Sequence, residues 1–364
     1  MSAPPRFIMI GGFLGAGKTT AIARLAAEFR ADGKRIAIVT NDQASDLVDT
    51  LLLRSQGFDV GEVAGSCFCC NFDGLTSAVE SLSADQRPDV VLAEPVGSCT
   101  DLVATVIRPL EQIYEQPFAI APYGVIIKPS HGQKILSGAG QRGFSPKAEY
   151  IFRKQIEEAD FIILNRVDEL SDDERNELAD LLGGAYPDTP VIQTSAKTGL
   201  GFDQLQEHLA QDGAHGAKQM DVDYDVYAEG EAELGWLNCQ VALTSASDID
   251  LDAFLTGLLE RLQHQLISSG SEVAHLKVIG MADGAYAVAN LVSNAGEPML
   301  SLPSNWSGTT ADLVVNARVA TSPDELESLV RDAITQQAAE SKATAEIRAL
   351  QCFRPGRPVP THRM

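Results

Sequence analysis

The sequence predicts an α/β fold: a doubly wound, mostly parallel sheet followed by a small α+β C-terminal domain. Three observations predict it. Short, continuously apolar runs alternate with amphipathic stretches from Phe7 to about Ala210, as parallel strands buried on both faces and joined by helices require. A glycine-rich turn links the first run to the first helical stretch. Beyond a polar segment at 213–232, strands cluster and helices become few, which suits an α+β domain.

The apolar runs are Phe7–Ile10, Ile36–Val39, Val90–Ala93, Gly124–Ile127, Phe161–Leu164 and Val191–Ile192, with a further stretch over Phe58–Ala64. Candidate helices lie at about 18–30, 74–84, 101–115, 148–159, 171–182 and 202–210. Strand and helix alternating at this spacing imply right-handed crossovers. After the linker, Leu237–Leu243 reads as a strand and Leu251–Ile267 as an amphipathic helix, followed by strands at Leu276–Met281, Tyr286–Leu291 and Leu313–Val319. Ser322-Pro323-Asp324-Glu325 opens a last helix, with a capping hydroxyl, proline at the first position and acids in the first turn. The expected division is a first domain at 1–212, a linker at 213–232, an α+β domain at 233–342 and a tail at 343–364. After Glu346 the tail has no acid but carries Arg348, Arg354, Arg357 and Arg363, with Pro355, Pro358 and Pro360 favouring extended chain. It reads as a solvated basic tail.

Composition narrows the function. The 364 residues suffice for two domains with their own cores. Against 28 Lys and Arg stand 50 Asp and Glu, a net charge of −22, which repels phosphate backbones and argues against a nucleic-acid partner. A small anion can still be held by a local nest of backbone N–H groups. No apolar run approaches the roughly 18 residues of a membrane span, and the first residues lack the pattern of a secretory signal. Three of the six cysteines crowd into Cys67-Phe68-Cys69-Cys70, unlike a disulfide scaffold. A reduced, cytoplasmic protein is expected.

Gly12-Phe13-Leu14-Gly15-Ala16-Gly17-Lys18-Thr19 fits G-x-x-x-x-G-K-[ST] between a strand and a helix, the context in which the motif binds nucleotide phosphates. Gly12, Gly15, Ala16 and Gly17 would let backbone N–H groups turn inward, Lys18 would reach the β- and γ-phosphates, and Thr19, followed by Thr20, would give a hydroxyl to Mg²⁺. The sheet is therefore expected to be of the P-loop NTPase type. Asn165-Arg166-Val167-Asp168 matches N-K-x-D with Arg for Lys. The Asp168 carboxylate can accept from guanine N1–H and N2–H₂, a donor pair adenine lacks. Asn165 would buttress the loop and reach N7, and the Arg166 stem would cover the base. Thr194-Ser195-Ala196-Lys197 resembles the loop whose backbone N–H reaches guanine O6. GTP is favoured over ATP.

Carboxylates at the C-terminal ends of parallel strands face the ligand edge. Asp42 and Asp46, after the second strand, and Glu94, in Glu94-Pro95-Val96-Gly97, are candidates to hold Mg²⁺ or orient the attacking water, against the alternative of plain loop acids in an acidic chain. Gly97 could offer its N–H to the γ-phosphate. Three thiols within four residues at Cys67, Cys69 and Cys70 can converge on one ion if the loop turns tightly, and Gly65, Ser66 and Asn71 allow that. Soft thiolates favour Zn²⁺ or Cu⁺, with Zn²⁺ preferred on availability. A C-x-x-C redox pair, a closed structural Zn²⁺ site and inert packing stay open. Cys99 is either a fourth ligand or a core cysteine.

Together the phosphate loop, the thiol triad, Glu94-x-x-Gly97 and Asn165-Arg166-Val167-Asp168 resemble the CobW/HypB/UreG-like GTPases, the CobW-type branch above all, over about residues 7–210. The resemblance implies slow GTP hydrolysis coupled to metal delivery to a client metalloprotein, with the triad binding the cargo. By that match Lys18 and Thr19 hold phosphate and Mg²⁺, and Asp168 reads guanine. Ser66 stands where the family usually has Gly, and no His-rich tract is present among the six histidines. Cys352 and His362 in the tail could add ligands, or its arginines could dock on an acidic client. The scattered His131, His208, His215, His264 and His275 are assigned no role. The expected protein is thus a GTP-hydrolysing metal chaperone using Lys18, Asp42 and Glu94 in catalysis, with a nucleotide-dependent homodimer allowed by analogy. A GTP-dependent assembly factor for a cobalamin or corrinoid enzyme, with a structural metal, and a thiol redox regulator are the competing readings. A small-molecule kinase would leave the guanine loops and the triad without roles.

Overall fold

The protein is described by a computed structural model covering residues 3–43, 48–83, 87–114, 118–136, 145–213 and 215–364. Contacts divide the chain into two compact units. The first comprises residues 1–43, 57–230 and 357–364; the second comprises 44–56 and 231–356. The chain therefore exchanges two segments between units that the sequence reads as successive.

The first unit begins with β1 (Arg6–Gly12), α1 (Lys18–Ala31) and β2 (Ile36–Asn41). The next helix, α2 (Val48–Ser55), belongs to the second unit. The first unit resumes with β3 (Asp59–Val63), α3 (Phe72–Leu82) and β4 (Val90–Glu94). A π-helical turn, Val103–Ile107, leads into α4 (Arg108–Gln112). Then follow β5 (Ala119–Ile120), β6 (Gly124–Ile127), α5 (Pro129–Leu136), α6 (Pro146–Glu158) and β7 (Phe161–Leu164). The alternation ends with α7 (Asp172–Ala185), β8 (Val191–Gln193), α8 (Phe202–Leu209) and α9 (Tyr224–Glu231).

These strands form one sheet in the order β3-β2-β4-β1-β6-β7-β8, with β5 pairing beside the start of β1. Every pairing is parallel, so the expected doubly wound fold is present. The apolar runs predict it because β1, β4, β6 and β7 are buried along their lengths, apart from Arg6 at the start of β1. Strand order reverses at β1, between β4 and β6, and such a switch point leaves a crevice beyond the strands' C-terminal ends where ligands bind. Local chemistry sets the helix starts. The Asn71 side chain accepts from Gly74 N at 3.0 Å, Ser145 caps α6 ahead of Pro146, and Ser171 and Glu174 form a capping box on α7.

The second unit is a six-stranded antiparallel sheet built from β9 (Gly235–Asp250), β10 (Glu272–Ala282), β11 (Ala285–Leu291), β12 (Met299–Leu302), β13 (Ser307–Ala320) and β14 (Ala343–Phe353). Its order is β12-β11-β10-β13-β9-β14. One face packs α10 (Leu251–Ser269), capped by Asp250, and α11 (Pro323–Glu340), capped by Ser322. Alternate residues such as Leu237, Cys239, Val241, Val278, Leu313 and Val315 meet Leu255, Leu258, Leu262 and Val330 in that core, each buried large side chain stabilising by about 1.5–3 kcal/mol. The opposite face carries Ile279, Val288 and Val314, against which α2 lays Val48, Leu51 and Leu52. Asn316 Oδ1 accepts from Val48 N at 2.9 Å, and Lys277 pairs with Asp49.

The tail departs from the expectation. Residues Ala343–Phe353 are an edge strand on β9, and every tail arginine has a partner: Arg348 with Asp312, Arg354 with the Ala232 carbonyl, Arg357 with Asp225 and Arg363 with Asp101. In a chain with so large an acid excess, three of these cations find a carboxylate within reach while staying about half exposed. No described helix is long and apolar enough to cross a membrane.

Candidate functional site

The turn after β1 is shaped by glycines that accept no substitute. Gly12, Gly15 and Gly17 have φ of 132°, 71° and 96°, a region L side chains avoid. A Cβ on Gly12 would fall 2.2 Å from the Ile126 carbonyl oxygen, and one on Gly17 would fall 2.6 Å from Asn165 Nδ2. Ala16 is buried and Thr20 is exposed on α1. Lys18 is buried, its Nζ donating to Gly12 O at 2.9 Å and to Phe13 O at 3.4 Å. Those carbonyls hold the ammonium over the turn, where a phosphate would meet it.

Thr19 Oγ1 donates to Glu94 Oε1 at 2.9 Å, and both side chains are buried. A hydroxyl and a carboxylate oxygen side by side, below a phosphate cradle, fit Mg²⁺. Asp42 lies just past β2, where Thr40 is in register with Glu94, so both acids occupy the same sheet edge. Asp46 lies outside the described residues. Gly97 abuts the cradle: a Cβ there would come 2.9 Å from Lys18 Nζ and 2.7 Å from Leu14 Cδ2.

The base-side loops converge on Asn165, which is buried. Its Nδ2 donates to Ala16 O at 3.1 Å and its Oδ1 accepts from Ala196 N at 2.9 Å, locking the phosphate turn to the loop after β8. Arg166 adopts φ of 65° and donates through Nε to Glu169 at 2.7 Å. Asp168 is exposed in the single turn Val167–Glu169. The Ser195 hydroxyl accepts from Thr198 N, shaping its own turn, while Arg24 holds the carbonyls of Ala196 and Lys197 at 2.7 and 3.0 Å.

The thiol loop sits between β3 and α3, and its sulfurs converge. Cys67 Sγ is 3.0 Å from Cys69 Sγ and 3.2 Å from Cys70 Sγ, with 3.7 Å between Cys69 and Cys70. Backbone turns from Cys70 N and Asn71 N to Cys67 O fold the loop on itself. The buried Cys99 brings a fourth sulfur, mutually within 4.8 Å of those of Cys67 and Cys69. Hydrogen bonds with Cys67 above all, then Cys70 and Cys99, push the Cys69 thiol well above its ordinary range, and Cys67 chiefly lifts Cys70 to about 11.

Three features had no counterpart in the sequence reading. Asn41, at the end of β2, donates through Nδ2 to Val63 O and Ser66 O, both at 2.8 Å, and accepts at Oδ1 from Phe68 N at 2.7 Å. Gln155 Nε2 donates to Gly97 O at 3.1 Å and Cys99 O at 2.8 Å. The last residues run beside the sulfurs: Val359 N donates to Cys70 Sγ at 3.3 Å, Thr361 N to Cys69 O at 2.8 Å and Met364 N to Ala104 O at 2.9 Å. Arg363 donates to Asp101, a carboxylate that also accepts from Tyr224 Oη at 2.7 Å. His362 packs edge-on against Phe72, and Cys352 Sγ donates to Pro323 O, so each has a packing role. Behind this strap, Glu158 accepts from Thr100 Oγ1 and Val103 N, and burial, its largest influence, raises its carboxyl to about 8.

Known proteins resemble the chain. The zinc chaperone CobW of Sinorhizobium sp is 36% identical over 97 residues, covering 24% of this chain and 27% of that one. The zinc chaperone YeiR of Escherichia coli (strain K12) is 36% identical over 91 residues, again covering 24% and 27%. The matched stretch is thus about a quarter of the length of either relative. Among solved structures, Zn(II)-bound YjiA GTPase from E. coli aligns over 91% of this chain and 99% of its own at 14% identity, with a TM-score of 0.39. The CobW/HypB/UreG nucleotide-binding domain matches residues 6–193, a little over half of the chain, and on that match the chain belongs to the CobW/HypB/UreG family as a CobW-type P-loop GTPase.

Proposed function

We propose that the protein is a GTP-hydrolysing metal chaperone, which binds Zn²⁺ or a similarly thiophilic ion at Cys67, Cys69 and Cys70 and passes it to a client metalloprotein. The observation that carries this reading is the Asn41 clasp. One residue before Asp42, the Asn41 side chain ties the end of β2 to the end of β3 at Val63 and, through two hydrogen bonds at Ser66 and Phe68, to the backbone of the thiol loop, so a shift at the nucleotide edge moves the sulfurs. The names of the CobW and YeiR relatives, both zinc chaperones, support zinc as cargo.

GTP supplies the phosphoryl group transferred to water and, with Mg²⁺, the charge that the site must neutralise. Lys18, held at the carbonyls of Gly12 and Phe13, would bind the phosphate oxygens, and Thr19 and Glu94 would hold the ion. Asp42 or Glu94 positions the water. Asp168 reads guanine, while Asn165 fixes the loop of Ser195, Ala196 and Lys197 against the phosphate turn. Gly97 offers its N–H to the terminal phosphate. The protein works in the cytoplasm, where thiols stay reduced, and a nucleotide-dependent homodimer is part of the proposal.

The test is zinc affinity measured by competition with a chromogenic chelator, in the presence of a non-hydrolysable GTP analogue and of GDP. Two distinct affinities are expected. Equal affinities would sink the coupling, and zinc that resists chelator in every nucleotide state would favour the assembly factor with a structural metal.

A further inference from the structure

We propose that Cys99 is the fourth thiolate of the cargo site, and that the segment from Glu94 to Cys99 is the lever through which nucleotide state opens that site. The proposal rests on the metal-carrier reading and adds to it a ligand and a moving part.

The sulfur geometry comes first. The triangles Cys67–Cys69–Cys70 and Cys67–Cys69–Cys99 share the 3.0 Å edge between Cys67 and Cys69. Sulfurs bound at about 2.3 Å to one tetrahedral zinc lie roughly 3.8 Å apart. The separations within each of these two triangles, from 3.0 Å to at most 4.8 Å, bracket that value, so side-chain adjustments about the shared edge bring Cys70 and Cys99 from its two sides toward one ion. Cys99 is 1% exposed, so water reaches a thiolate there poorly and a bound cation would stabilise its charge.

The lever is equally specific. Its first residue, Glu94, accepts from Thr19, and its fourth, Gly97, leaves no room for a side chain beside Lys18 Nζ and Leu14. Two residues later comes Cys99, whose N–H closes a turn on Val96 O at 3.0 Å. One amide, Gln155 Nε2, holds the carbonyls of both Gly97 and Cys99. Two residues of chain span at most about 7 Å, and a hydrogen-bonded turn clamped at both carbonyls moves as a body. A displacement of Gly97, on gain or loss of the terminal phosphoryl group, therefore arrives at the Cys99 sulfur nearly undiminished.

The chemistry is ligand exchange without oxidation or reduction. As the ion binds, each participating thiol gives its proton to solvent and forms a sulfur–metal bond. When Cys99 withdraws, its sulfur–metal bond breaks, the thiolate takes back a proton, and the vacated position accepts a donor from the client. Four thiolates retain cargo; three with an open position hand it on.

The full-length protein loaded with Co²⁺ reports thiolate number through its sulfur-to-cobalt charge-transfer absorption. The expected result is a four-thiolate spectrum with a GTP analogue, an intensity about a quarter lower with GDP, and the lower intensity in both states for Cys99→Ser. Cys239→Ser is the control and keeps the wild-type pattern. If Cys99→Ser retains the full intensity and its dependence on nucleotide, Cys99 is a core cysteine and the proposal fails, while the carrier reading survives. If Cys67→Ser also binds Co²⁺ unchanged, the carrier reading itself fails. Should Cys99→Ser not fold, by circular dichroism, the wild-type spectra decide alone, because identical spectra with GTP analogue and GDP overturn the lever.

Discussion

The thiols of this protein form two populations whose contrast shows how burial differs from preorganisation. In the second unit, Cys239 is buried in the core beneath α10 and α11, and burial pushes its thiol to about 12. Half-buried Cys352 is lifted to about 11, again chiefly by burial. These are small apolar fillers whose sulfurs lean on backbone carbonyls, Cys239 toward Gln240 O and Cys352 toward Pro323 O. In the first unit, Cys69 and Cys70 are raised as well, but first of all by the sulfur of Cys67. Similar displacements thus arise from different causes. A lone buried thiol resists ionisation because nothing awaits the charge, whereas clustered thiols resist only until a cation replaces their protons.

Three experiments sharpen or break that contrast. The largest effect is expected from a matched pair of substitutions. Cys69→Ser should lower zinc affinity by more than the roughly 10–100-fold that loss of an outer-shell partner costs, while Cys239→Ser leaves it unchanged, both read by chelator competition. Similar losses in the two variants would erase the distinction.

A smaller effect is expected where the tail lies along the cluster. Arg363→Ala removes the cation from the Asp101 carboxylate, 2% exposed, while Tyr224 continues to donate to it. A loss of about 1–3 kcal/mol is expected in urea unfolding, together with faster iodoacetamide labelling of Cys70. Unchanged labelling would mean that the tail does not shield the sulfurs.

An effect confined to alkaline solution separates the populations by pH. With its folded value near 12, above the ordinary 9 of an unfolded thiol, Cys239 favours the fold fully below pH 9 and loses that contribution as pH rises toward 12. Cys239→Ala should therefore flatten the alkaline fall in thermal midpoint between these limits. An equal fall in wild type and variant would assign the alkaline transition elsewhere.

Much of the first unit is legible in the sequence because both faces of its strands are buried, so apolar runs such as Phe161–Leu164 stand out unbroken. The phosphate turn and the triad are legible because their chemistry is local in sequence. Elements whose pattern is set by distant partners are not. The edge strand β14 alternates half-buried and exposed residues and carries Arg348 and Glu346, which resembles solvated chain until β9 is beside it. The eight-residue α2 has a triple-leucine run that shows no face until the far side of the second sheet meets it. Asn41 and Gln155 are ordinary polar residues by sequence, and their roles come from loops 25 and 58 positions away.

The loan of α2 to the second sheet bears on how this protein can be dissected. A contiguous fragment from 231 onward would present Ile279, Val288 and Val314 bare, and such a patch invites aggregation. Removing everything beyond 230 would equally strand the hydrophobic face of α2 in water. Deletion mapping would then report both halves as inactive for reasons unrelated to chemistry. A faithful division would graft residues 44–56 onto the C-terminal piece by a short linker and bridge 43 to 57 in the other.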